Sequence, residues 1–398
     1  MLKSENHREQ TGYIVGIDAS RNRSGGAKVH ILGILKDVDP LSHGISKVHV
    51  WSYKTLLDML PDDPWLVKHN PPELEKSLFQ QVWWQYRSLP TEARDSGCDI
   101  LLNTDAGSVC RFRPAVVMSR DMLSYEPKEM GRYGVSTARL RLILLRTIQT
   151  RSMKHADGVI FLTNYAARTI QDITGALRRV TVIPHGVGEN FKQASSAGAW
   201  LDEAGREIRC IYVSNAEVYK HQWMVVRAVG QLRRNGYKVS LLLVGGGAGC
   251  PQKLLDEEIA RIDPQRKFIE TRGFVRHDEI PYLLTQADLF IFASSCENMP
   301  NTLVEAMSSG LPIACSDRGP MPEILGDGGV YFDPENPDSI AAAIESIILK
   351  QDMRIFIASR AEELSKQYSW ARCKSETFGF LRACIETSKH NNQDNNKS

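Results

Sequence analysis

The sequence predicts an α/β protein built from two doubly wound parallel-sheet halves, one after the other. Three observations carry this. Short β-rich apolar runs alternate with helix-like stretches, as in successive βαβ units. The alternation lapses once, in the Ser-, Ala- and Gly-rich stretch "KQASSAGAWLDEAGRE" (192–207), and then restarts, so this stretch reads as an interdomain link. The chain has 398 residues, 42% hydrophobic and 24% charged, which is enough for two cores.

In the first half, "YIVGIDAS" (13–20) reads as a strand, followed by the loop "RNRSGG" and a helix pattern from Ala27 to Leu35. "CDILLN" (98–103), "PAVVMS" (114–119) and "GVIFLT" (158–163) read as further strands. In the second half, "IRCIYVSN" (208–215) leads to a helix over 222–234, and "KVSLLLVGGG" (238–247) to one over 252–262. "KFIETRGFV" (267–275) leads to a helix over 278–286, and "ADLFIFASS" (287–295) to another near Thr302; "LPIACSD" and "GVYFD" follow. The expected boundaries are 1–188, 189–368, a helix over 369–385 crossing back to the first half, and a disordered polar tail over 386–398. Ligands of doubly wound sheets bind beyond the carboxyl ends of the strands, so two facing sheets point to a cleft between them.

Charge narrows the classes. Lys plus Arg is 49 and Asp plus Glu is 47, which gives no bulk argument for nucleic acid. The eight cysteines form no CxxC pair and mostly sit in apolar runs, so a reducing compartment is expected. The polar start "MLKSENHREQTG" has no signal-peptide core, and no apolar run approaches the roughly 18 residues of a membrane span, so a cytoplasmic location is expected.

"ENMPNTLVEAM" (297–307) sets two acids eight residues apart just past a buried strand. One reading is structural: Thr302 and Glu305 have capping-box spacing and Glu297 is a solvated loop acid. The other is functional. A helix N-terminus at a strand end suits a phosphate, while the carboxylates would accept hydrogen bonds from sugar hydroxyls. The ligand would then carry both phosphate and polyol.

The stretch "FASSCENMPNTLVEAMSSGLPIACSDRGPMPEIL" resembles the E-x7-E region of family 4 (group 1) glycosyltransferases. "SGGAKVHILGIL", "ADGVIFLTNYAARTI", "VTVIPHGVGENF", "GFVRHDEIPYLLTQADLFIFAS" and "DGGVYFDPENPDSIAAAI" resemble other segments of that family in the same order, over most of 13–370. The resemblance implies a GT-B fold, two Rossmann-like domains facing across a cleft, with an N-terminal acceptor and a C-terminal donor-nucleotide domain. It implies that Glu305 holds the donor ribose and that Glu297 lies beside the donor sugar. The loop Asn298, Met299, Pro300, Asn301 and Thr302 would line the sugar and diphosphate. Lys220 would neutralise the diphosphate, Phe274 and Val275 would flank the base, and Gly25 and Gly26 would let backbone approach the phosphate. The implied reaction is retaining transfer from a nucleotide-diphosphate sugar, with GDP-mannose the first guess. The implied acceptor is a glycan or lipid-linked glycan in surface-polysaccharide synthesis. No cofactor beyond the donor substrate and no metal is implied.

Two positions depart from the family pattern. Asn215 stands where an Arg is common, which leaves half of a two-cation clamp uncharged unless His221 compensates. Arg120 and Asp121 stand where His, often followed by Asp, is common; Arg120 would bind phosphate or acceptor, and Asp121 would accept a proton or orient the sugar. These departures keep a non-catalytic GT-B nucleotide-binding or partner subunit open, alongside a sugar-nucleotide epimerase. A dinucleotide reading of "GGGAG" (245–249) is disfavoured by Cys250 at the third glycine position. His185 reads as part of a hinge turn, and Trp83 and Trp84 as packing or acceptor contacts. Residues 132–154 carry six cations and no acid, with Arg132, Arg139 and Arg146 at sevenfold spacing; this reads either as a basic amphipathic helix touching an anionic membrane or as an ordinary packed helix.

Overall fold

The computed structural model describes residues 12–23, 25–192 and 206–395. Most of the stretch read as the interdomain link lies outside the described residues. The first half holds β1 (Tyr13–Asp18), β2 (Ile45–Trp51), β3 (Leu66–His69), β4 (Ile100–Asn103), β5 (Ala115–Met118), β6 (Gly158–Phe161) and β7 (Val180–Val182). The second holds β8 (Ile208–Val213), β9 (Val239–Val244), β10 (Ile269–Arg272), β11 (Leu289–Phe292), β12 (Ile313–Ser316) and β13 (Val330–Phe332). The sheet orders are β3-β2-β1-β4-β5-β6-β7 and β10-β9-β8-β11-β12-β13, and every strand pairing is parallel. The central strands β4, β5, β6, β11 and β12 are buried along their whole length, which is why they read as continuous apolar runs.

Each sheet reverses its order once, between β1 and β4 and between β8 and β11. Helices that cross in opposite directions from such a point leave a crevice beyond the strand ends. The segments that follow β1, β8 and β11 therefore carry Gly25 and Gly26 at the start of the helix Gly25–Leu35, Asn215 to Lys220, and Glu297 to Pro300 ahead of the helix Asn301–Ser308.

The chain passes between the halves a second time near its end. Val187 bridges Ser369 in parallel, and its N–H donates to Tyr368 O at 2.9 Å. Gly186 lies so close to this crossing that a Cβ there would stand 2.2 Å from Trp370 N. The helix Trp370–Asn395 then packs against the helix Gly25–Leu35, where Gly33 leaves room for the Trp370 ring. It extends into residues read from sequence as a disordered tail.

Other local expectations change. β2 and β3 escape the apolar-run reading because His49, Lys47, Lys68 and His69 interrupt them. His49 Nδ1 and His69 Nε2 meet at 2.8 Å, and both rings stack with Trp51. The stretch 278–286 divides into a 3-10 turn, His277–Glu279, and a helix, Ile280–Thr285, with Pro281 at the junction. Arg132 does not extend a stripe with Arg139 and Arg146: it ends the short helix Pro127–Gly131 and pairs with Glu129 and Glu335.

Candidate functional site

The second-half wall is built on β8 and β11. A single 3-10 turn, Val218–Lys220, follows β8 and sets Lys220 under the loop that leaves β11. Its ammonium pairs with Glu297 Oε1, and both side chains are mostly buried, 10% and 15% exposed. Burial strengthens this attraction but strips both groups of water, so removing either partner leaves a costly lone charge.

Glu305 lies in the helix Asn301–Ser308 and is buried. The capping-box reading fails here. Pro300 is the N-cap and makes no side-chain cap, and Glu305 Oε1 instead meets His277 Nε2 at 2.7 Å. Glu305 Oε2 is buried with no partner among the described residues. His277 is half-exposed, and its hydrogen bond to Glu305 raises its pKa against the opposing effect of burial.

Asn215 is exposed just past β8 and carries no charge. His221 does not replace the missing cation. It sits in left-handed backbone at φ 49°, its Nε2 lies 2.9 Å from Ser295 Oγ, and burial pushes its pKa down to about 4. At neutral pH it is an uncharged hydrogen-bonding group. Phe274 is 83% exposed, with its ring over Gly246, where a Cβ would lie 3.4 Å from Cδ2. Val275 is half-buried against the core.

The loop between the two glutamates is the meeting point of the halves. Asn298 O accepts from Thr163 Oγ1 at 3.0 Å, Asn298 Nδ2 donates to Asp121 O at 3.4 Å, and Asn298 Oδ1 is buried without a partner among the described residues. Met299 and Pro300 are buried, and Asn301 and Thr302 half-buried. A Cβ on Gly26 would stand 3.1 Å from Asn301 Nδ2, so the glycine loop and the motif helix approach closely; Gly25 faces open space. Asn301 Oδ1 also lies 3.3 Å from His185 Nδ1. His185 stacks on His30 at 4.5 Å, and burial together with nearby Arg120 takes its pKa down to about 3.

The first-half wall is less tightly paired. Arg120, past β5, is 13% exposed and lies 3.6 Å from Asp105 Oδ2 and 3.5 Å from Asn22 Oδ1. Burial lowers its pKa and Asp105 opposes that, yet a guanidinium keeps its charge. Asp121 holds its own loop: Oδ1 accepts from Leu123 N at 3.2 Å, and Oδ2 from Ser124 Oγ at 3.0 Å and Gln149 Nε2 at 3.3 Å. Burial raises its pKa.

Sequence reasoning assigned no role to His277, although it stands inside the quoted "GFVRHDEIP"; nothing in one sequence announces a pair 28 positions apart. Glu323 was also missed. Its carboxylate accepts from Asn164 N and Tyr165 N, both at 2.7 Å, at the start of the helix Asn164–Thr174. A second-half acid thus satisfies orphan N–H groups of a first-half helix, where its charge also suits the helix dipole.

Comparison with known proteins agrees with this architecture. Residues 201–364 match the family described as Glycosyl transferases group 1. The chain is similar to O-antigen chain mannosyltransferase B of Escherichia coli, 28% identical over 260 residues, covering 65% of this chain and 66% of that protein. It is also similar to D-inositol 3-phosphate glycosyltransferase of Corynebacterium kroppenstedtii, 27% identical, covering 45% and 41%. The matches thus span two-thirds or less of these relatives. Among solved structures, sucrose-phosphate synthase of Thermosynechococcus elongatus superposes with a TM-score of 0.70 at 15% identity over 97% of this chain and 100% of that one. Anabaena HepE in complex with UDP and glucose superposes with a TM-score of 0.67 at 20% identity over 92% and 98%. The shared arrangement is the GT-B fold.

Proposed function

We propose that this chain, a group 1 glycosyltransferase by the match of its residues 201–364, moves a hexose from a nucleoside-diphosphate sugar to a glycan or lipid-linked glycan with retention of anomeric configuration. The observation that carries the reading is the carboxylate of Glu305. It is held at one oxygen by His277, while the other is buried with no partner among the described residues, so a ribose hydroxyl that reached it would supply the missing donor. The Lys220–Glu297 pair supports it, because a diphosphate entering beside the motif helix would draw the ammonium from Glu297. Departure of the nucleoside diphosphate builds negative charge on the β-phosphate, and Lys220 together with the N–H groups at the start of the Asn301–Ser308 helix would stabilise it. Phe274 offers an exposed face to a base. Arg120 would bind the acceptor from the opposite wall, and Asp121 would fix the loop that presents Arg120.

Mannose, with GDP as carrier, is favoured by the likeness to the O-antigen mannosyltransferase, which also favours surface-polysaccharide assembly. HepE, crystallised with UDP, keeps uridine donors in the test. A lipid-linked acceptor goes with peripheral contact at the inner face of the membrane through residues 132–154. Thermal stabilisation by a panel of nucleoside diphosphates and their sugar conjugates tests the donor half, since a ligand that binds only the folded state raises Tm. One base giving the largest shift, increased by one sugar, is the expected result. No shift with any of them removes the donor reading and favours a non-catalytic subunit, for which the uncharged Asn215 and neutral His221 are the specific support.

A further inference from the structure

The helix Thr137–His155 has 19 residues, yet only Gln149 and Met153 are buried. Leu140 and Leu144 are 67% and 60% exposed, and Val135 just ahead is fully exposed. Leaving this much aliphatic surface in water is unfavourable, at about 25 cal/mol per Å². The neighbouring helix Leu78–Arg87 repeats the anomaly with Leu78, Phe79 and Trp83 exposed. Its rings run in a row, Phe79 to Trp83 at 6.4 Å and Trp83 to Tyr86 at 6.3 Å, and the Arg111 guanidinium lies 4.5 Å from the Tyr86 ring centre. Tyr86, Arg111 and Arg113 share one depression with Ile148, Arg151 and His155 of the long helix, so the aromatic row and the long helix form a single face.

The face is also one-signed. Segments 76–91, 106–113 and 133–156 hold nine Lys and Arg and no Asp or Glu. The whole chain is only +2, so the other residues together carry −7. Among the described residues none of the nine has an acidic partner within 4.0 Å.

We propose that this composite face docks on an anionic lipid bilayer. Phe79, Trp83, Leu140 and Leu144 enter the headgroup boundary while Arg111, Arg113, Arg146, Arg151 and Lys154 meet acidic headgroups. A second copy is a poor occupant, because a self-complementary contact would set these five cations against the same five. Nucleic acid would use the cations but leave the exposed leucines uncovered. On its inner side the same helix carries Gln149, which donates to Asp121, so the docked face lies one helix thickness from the acceptor wall. The biological sense of docking rests on the lipid-linked acceptor reading above; the docking itself does not.

Flotation with phosphatidylcholine vesicles, with and without phosphatidylglycerol, is the test. Binding is expected only when phosphatidylglycerol is present, and it weakens with salt. Phe79→Ala with Trp83→Ala, and separately Arg146→Glu with Arg151→Glu, should each reduce it at least about tenfold, with unchanged Tm because all four side chains face outward or line an open depression. Equal binding to both vesicle types, or variants that bind as wild type, would overturn the proposal. So would concentration-dependent dimerisation abolished by the Phe79 and Trp83 changes, or binding to single-stranded RNA but not to vesicles. Vesicle binding without nucleotide-induced stabilisation would keep the docking face and remove only the donor reading.

Discussion

The two walls of the cleft each carry a buried acid, and they use it in opposite ways. On the second-half wall, Glu305 spends one oxygen on His277, and the other has no partner among the described residues. On the first-half wall, Asp121 commits both oxygens to three donors on its own side of the cleft. The cations follow suit. Lys220 is locked to Glu297, whereas Arg120 stands 3.6 Å from its nearest acid. On the proposed reading, the unmet oxygen of the second-half wall serves the donor, and Arg120 of the first-half wall, whose Nε is also buried without a partner among the described residues, serves the acceptor.

This contrast is sharpest at Lys220. Lys220→Ala should lower kcat by about 10²- to 10³-fold, the size expected for losing one preorganised charge at a developing anion, with donor affinity changed far less. The double variant Lys220→Met, Glu297→Gln removes the lone buried acid and should recover Tm without recovering turnover. A double variant that turned over normally would place the diphosphate elsewhere. Next in size is Glu305→Gln, which should weaken nucleoside-diphosphate binding by about 10- to 100-fold in calorimetry, as befits hydrogen bonds to a charged acceptor. A 2′,3′-dideoxy diphosphate should bind wild type and variant alike; an equal loss for both ligands would make Glu305 a packing residue only.

On the other wall, Arg120→Gln should raise the acceptor KM about tenfold while leaving diphosphate affinity unchanged, the behaviour of a single charged hydrogen bond. A fall in diphosphate affinity instead would erase the division of labour between the walls. The smallest effect belongs to His277. Glu305 raises its pKa above the ordinary 6.5, so the pair's contribution is complete below that value and is lost as pH rises through the raised one. His277→Gln should flatten this fall in Tm, by about 1–2 °C for a half-exposed pair. A wild-type Tm that rises over the same range would contradict the sign.

What the sequence made legible follows the same divide. The helix over 222–234 and the strand before "ENMPN" are contiguous signals, a 3.6-residue period and an unbroken apolar run, and the structure has both. The second-half residues Lys220, Glu297 and Glu305 lie on loops and a helix that two adjacent strands bring together. The failures are long-range or polar. β2 and β3 were hidden by His49 and His69, which meet across the strands, and by Lys47 and Lys68, the latter bonded to Leu60 O and Asp62. The Thr302–Glu305 capping box matched a local spacing, but tertiary contact with His277 took the carboxylate. Arg132 kept its spacing yet fell outside the helix, because Gly134 adopts positive φ and the chain turns before Thr137. Glu323 acts across the cleft, on residues 158 and 159 positions away, a separation that no sequence window spans.

The close passage of Gly186 beside Trp370 has a mechanical meaning. It presses the end of the first half against the stretch that enters the last helix, and the Val187–Ser369 bridge holds the two together. A methyl group at 186 would collide with backbone rather than with a side chain that can turn aside, so the passage tolerates glycine alone.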